Sequence, residues 1–175
     1  MIPAEIDRVS LARVAYDHEI PLADLERVVQ IESGWNPQAE NPQSHAIGLV
    51  QFMPSTLFAW GMNTGQVRAM NAAQQIPLVD KYLKGVSHPI GADAYLAFAY
   101  PAAIGHQDDY RIGPAGGIIA QQNPGWRGTD GAVTAGSIRA FFRNAMARPN
   151  GPKKSLNIHP AVIVLLALLL LSRRT

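Results

Sequence analysis

Pro21-Leu22-Ala23-Asp24-Leu25-Glu26-Arg27-Val28-Val29-Gln30-Ile31-Glu32-Ser33-Gly34-Trp35-Asn36-Pro37 carries the apolar spacing of a helix that ends on an acid. Leu22, Leu25, Val28 and Val29 fall on one helical face, and Glu32, seven after Leu25 and four after Val28, falls on the same face. Pro21 suits the first turn and Gly34 the C-terminal cap, so Glu32 lies in the last turn, beside the negative end of the helix dipole. An apolar stripe and that dipole both disfavour the carboxylate, and a carboxyl with a raised pKa is a general acid suited to neutral pH. On this segment alone, a glutamate that ends a helix in solvent is the commoner reading.

A second block shifts that balance. His45-Ala46-Ile47-Gly48-Leu49-Val50-Gln51-Phe52-Met53-Pro54-Ser55-Thr56 follows Glu32-Ser33-Gly34-Trp35-Asn36-Pro37 within about twenty residues. Together they resemble the ES-x-x-NP and GA-x-GL-x-Q-x-MP-x-T blocks of lytic transglycosylase (SLT) domains in the lysozyme superfamily. A third stretch, Ala97-Phe98-Ala99-Tyr100-Pro101-Ala102-Ala103-Ile104-Gly105, is similar to that family's A-x-AYNAG. His45 replaces a Gly of the pattern and Pro101 an Asn. With Gln122-Asn123-Pro124-Gly125 and Asp130-Gly131-Ala132-Val133-Thr134, this form resembles phage-encoded members. The resemblance covers roughly residues 20 to 145.

The resemblance implies a mainly α, lysozyme-like α+β fold and cleavage of the β-1,4 bond between N-acetylmuramic acid and N-acetylglucosamine in peptidoglycan. Glu32 matches the catalytic glutamate. It would protonate the glycosidic oxygen, the muramic N-acetyl group would assist, and the same Glu would then deprotonate the 6-hydroxyl to leave a 1,6-anhydromuramic end. Gln51, Tyr100, Phe52, Met53 and Asn41 are the matching substrate-side positions, Asn41 with a one-residue register shift. An ordinary glycosidase needs two carboxylates. Glu40, the nearest second one, sits in the polar stretch 38–44 and is expected to face solvent. Hydrolysis of the same bond in the manner of goose-type lysozyme and a non-catalytic wall-binding virion component are the alternative readings.

Composition bounds the remainder. A chain of 175 residues, 47% hydrophobic, has room for one domain with a real core. Net charge is only +2, although a pI of about 9.1 and a basic C-terminal region favour an anionic partner such as cell wall or lipid headgroups. No block is basic enough for nucleic acid. Cysteine is absent and the five histidines are scattered, so neither a thiolate zinc site nor a histidine ligand set is expected, and no cofactor is implied. The Asp130-Gly131 stretch has too few carboxylates for a calcium loop and reads as a turn.

The expected organisation is a domain over 1–147, a linker over 148–157 and a C-terminal apolar helix over 158–175. The first sixteen residues read as an amphipathic helix opened by Pro3, with no secretory signal, which suggests delivery within a phage particle. The run 158–171 would span roughly 21 Å as a helix, against a hydrocarbon core of ~30 Å. Lys153, Lys154, Arg173 and Arg174 could snorkel from both ends, so the tail is read as a lipid-bilayer anchor of undecided orientation. Further helices are expected over 54–60, 73–83, 92–99 and 137–147, with at most a small hairpin around 38–52. Trp35, Trp60 and Trp126 are read as packing residues.

Overall fold

Asp7 starts the first helix: its carboxylate accepts from the N–H groups of Val9 and Ser10, which caps α1 (Arg8–Asp17). The chain is described here from a computed structural model that places residues 7–86 and 89–148. The proposed opening at Pro3, most of the 148–157 linker and the 158–175 segment lie outside these residues. No helix among the described residues is long and apolar enough to cross a membrane.

The apolar-spaced stretch after Pro21 forms α2 (Leu22–Glu32), with Pro21 as its N-cap and Glu32 as its last residue. Gly34 and Trp35 follow at φ 60° and 71°, two consecutive left-handed residues that turn the chain away from the helix. The 54–60, 73–83, 92–99 and 137–147 expectations appear as α3 (Pro54–Ala59), α5 (Ala72–Leu83), α6 (Ala94–Ala99) and α8 (Ala135–Ala147). A 3₁₀ turn over Gly91–Asp93 leads into α6. Thr134 and Ser137 form the capping box that starts α8 two residues earlier than expected.

Two short helices were not expected, α4 (Thr64–Arg68) and α7 (Ile118–Gln122). At five residues each they are too short to show an apolar period, and α4 is held by an Asn63–Gln66 capping box. The hairpin region contains isolated bridges, Glu40 to Ile47 and Ile47 to Phe52. The regular two-stranded ladder lies elsewhere, where β1 (Arg111–Gly113) pairs antiparallel with β2 (Val133–Thr134). Strands of two and three residues carry no legible alternation. Asp130 and Gly131 do form a turn: Gly128 N–H donates to Ala132 C=O at 2.7 Å, and Asp130 accepts from Ala132 N–H.

All six residues of α6 are buried, and this helix packs between α2 and α8. Arg139 of α8 grips the start of α6. Its Nε and Nη2 reach both oxygens of Asp93 at 2.7 and 2.9 Å, and Nη1 reaches Asp108 at 2.7 Å. The planar fork fits a carboxylate bidentately, so α6 is fixed in rotation as well as position. That matters because α6 faces the end of α2.

Candidate active site

Glu32 retains 7% exposure, at the end of a helix whose other buried residues are Leu25, Val28 and Val29. Burial pushes its carboxyl pKa from an ordinary 4.5 up to about 8, and the nearby Tyr95 hydroxyl pulls part of the way back. At neutral pH the folded protein therefore holds Glu32 mostly protonated, the state a general acid must start from.

Two buried tyrosines feel the charge of this acid. Burial, reinforced by the Glu32 charge, pushes the Tyr82 and Tyr95 hydroxyls well above the usual phenol range. Tyr82 donates to the carbonyl of Ala97 at 3.2 Å and stacks on Phe98 with centroids 5.4 Å apart. Phe52 meets Tyr82 edge-on at 6.4 Å and Trp60 at 5.9 Å. Tyr82 thus packs on Phe52 of the second block and feels the charge of Glu32 from the first. Tyr95 lies parallel to Phe142 at 5.4 Å and edge-on to the fully buried Trp126 at 6.2 Å.

The second block is held in place from beneath. Gln75 of α5 is fully buried; its Oε1 accepts from Leu49 N–H at 2.9 Å, and its Nε2 donates to the carbonyls of Pro37 and Val67 at 2.7 and 3.2 Å. Gly48, at φ 87°, is required here, because a Cβ would stand 2.4 Å from Gln75 Oε1. His45 sits at φ 56°, a left-handed conformation that suits the glycine it replaces. Gln51, also at φ 56°, donates from Nε2 to the carbonyls of Ala39 and Gly48 at 3.0 and 3.1 Å.

The other expected substrate-side residues are distributed as follows. Phe52 and Met53 are buried, at 2% and 5% exposure. Asn41 is buried too, and its side chain accepts from Gln43 and Ser44 N–H, which shapes the turn. Tyr100 is half-buried at the C-cap of α6, where burial and then Tyr110 raise its pKa. Pro101 opens the 3₁₀ turn that follows, a first-turn position that needs no N–H donor. Glu40 is engaged by the Arg68 guanidinium and by His45 Nδ1 at 3.3 Å; the Arg68 bond is the main cause holding its pKa below the usual range.

Tyr82, Tyr95 and Gln75 were not singled out from the sequence, and Trp126, read there as a packing residue, is indeed fully buried. One signal was present for Tyr95: α6 is apolar all round, so a tyrosine within it must send its hydroxyl to an internal destination.

The transglycosylase SLT domain model matches residues 11–112, more than half of the chain. The protein belongs to the SLT transglycosylase family. It is accordingly a peptidoglycan lytic transglycosylase, and the cell wall is where such domains act. No curated protein and no solved structure shows significant similarity to it. The matched span contains Glu32, the second block and α6, whereas Trp126 and α8, which pack against Tyr95, lie beyond it. Among the described residues no group of His, Asp or Glu could hold a metal ion.

Proposed function

We propose that this transglycosylase cleaves the bond between N-acetylmuramic acid and N-acetylglucosamine without water, through one carboxyl group, to give a 1,6-anhydromuramic product. The observation that carries the reading is Glu32 itself: it is the buried acid among the described residues, and burial lifts its pKa to about 8. Glu32 gives its proton to the glycosidic oxygen as the C1–O bond breaks. The carbonyl oxygen of the muramic N-acetyl group bonds to C1 as the leaving oxygen departs, and the 6-hydroxyl then displaces it from C1 while its proton passes to Glu32. The acid is regenerated and no water is consumed.

Two-carboxylate hydrolysis requires a second, available acid. Glu40 has one oxygen on Arg68 and the other on His45, which supports a structural role for it. The partial exposure of Gln51 and Tyr100 supports contact with the glycan. The burial of Phe52, Met53 and Asn41 supports a part in shaping the wall behind it. Similarity to phage-encoded members at Pro101 and over 122–125 supports a wall-penetrating role in a virion, and the apolar run 158–171 supports attachment to a bilayer.

Mass analysis of digested peptidoglycan tests the chemistry. Anhydro ends, lighter by one water than reducing ends, are expected. Reducing ends alone would establish hydrolysis, and glycan binding without cleavage would establish the non-catalytic alternative.

A further inference from the structure

Three buried polar atoms in the aromatic cluster have no hydrogen bond of good geometry: Glu32 Oε1, the Tyr95 hydroxyl and Trp126 Nε1. Leaving one such group unpaired is costly, and three together call for an explanation. They are neighbours. Trp126 meets the Tyr95 ring edge-on at 6.2 Å, and both Trp126 and Glu32 act on the Tyr95 hydroxyl proton. Their chemistry is complementary and dictates an order: indole N–H can only donate, a carboxylate can only accept, and a hydroxyl does both.

We propose that Tyr95 is the positioning residue of the acid/base, with Trp126 Nε1–H donating to the Tyr95 oxygen and Tyr95 O–H donating to Glu32 Oε1. The idea rests on the reading of Glu32 as that acid/base. Fixing Oε1 to Tyr95 leaves Oε2 to carry the proton to and from the sugar. The Tyr95 bond is strongest when Glu32 has lost its proton, so it favours the charged intermediate over the resting acid. Tyr95 does not itself surrender a proton, since burial and the Glu32 charge hold its hydroxyl protonated.

The scaffold around Tyr95 suits this role. Its ring is stacked on Phe142 at an interplanar angle of 3° and tilted against Phe141 at 5.5 Å, so its direction is set by α8. Asp93, two residues earlier, is clamped by Arg139 from the same helix. Charged groups on the elements packed around α2 are engaged away from Glu32: Arg8 with Glu26, His18 and Lys84 with Asp80, and Arg139 with Asp93 and Asp108. Arg13 pairs with Asp17, Arg27 donates to Ala145 C=O, and Arg143 is exposed. The groups acting on the Glu32 proton are therefore Tyr95 directly and Tyr82 through charge.

The test is ¹³C-carboxyl titration of Glu32 in the full-length wild type and in Tyr95→Phe, beside pH–rate profiles of glycan cleavage. Losing a charge-assisted hydrogen bond should raise the Glu32 midpoint by about one unit, and move the alkaline limb with it. The maximal rate should fall about tenfold. Trp126→Phe, which keeps a ring and removes the N–H, should shift both in the same direction by less. An unchanged or lowered midpoint in folded Tyr95→Phe overturns the proposal. If that variant does not fold, the Trp126→Phe titration decides in the same way. Should the wild type not cleave glycan, the proposed function fails, and the titration still decides whether Tyr95 holds Glu32.

Discussion

Glu32→Gln separates the chemical duty of the acid from its energetic cost. The amide has nearly the size of the carboxyl but neither ionises nor donates an acidic proton, so glycan cleavage should be lost while the fold is kept. Stability should move the other way. The folded protein binds the Glu32 proton at a pKa of about 8 and the unfolded chain at an ordinary 4.5. The folded state therefore holds this proton more tightly, and the group's contribution is greatest below the unfolded value. It is lost as pH rises from 4.5 towards 8 and changes no further above that.

At pH 7 the separation of the two values corresponds to on the order of 3 kcal/mol lost by the wild type and not by the variant. For a domain of this size that is roughly 6–12 °C in melting temperature. Thermal melts of both proteins at about pH 4 and about pH 8 measure it. The Gln variant should gain on the wild type as pH rises, and the two should converge at the acid end. An advantage independent of pH, or one that shrinks towards neutral pH, would refute the claim that burial keeps Glu32 protonated.

Two other perturbations test the scaffold and the tail. Gln75→Ala leaves the N–H of Leu49 without its partner and opens a small void, so denaturant titration should show a loss of about 2–4 kcal/mol, with cleavage falling as the second block loosens. A loss within about 0.5 kcal/mol would show that the block holds itself. Removing residues 158–175 should abolish sedimentation with anionic vesicles and leave glycan cleavage unchanged, whereas loss of the folded melt on truncation would make the tail part of the core.

The sequence carried the helices with a clear apolar stripe and the buried placement of Glu32, because both are local. The 3.6-residue period of α2 placed Glu32 on its buried face, and Gly34 was legible as a stop, whereas the left-handed backbone of Trp35 was not. What stayed hidden is non-local. Tyr95 lies 63 positions after Glu32 and Trp126 a further 31, and no spacing rule joins them. Gln75 looks like any polar residue of a helix until the Gly48 turn is seen pressed against it. Tyr100 drew attention by its place in a motif, yet the tyrosine that acts on the carboxyl is one turn and a half earlier, on a helix with no solvent face.

Motif positions mark which part of the chain forms the site, but the acid's pKa is set by what burial brings against it from elsewhere. In this protein Tyr95 lies within the matched domain, but the rings that pack on it come from beyond it. Trp126, Phe141 and Phe142 pack on Tyr95, the group that acts on the Glu32 carboxyl, so residues with no motif of their own bear on its pKa through that tyrosine.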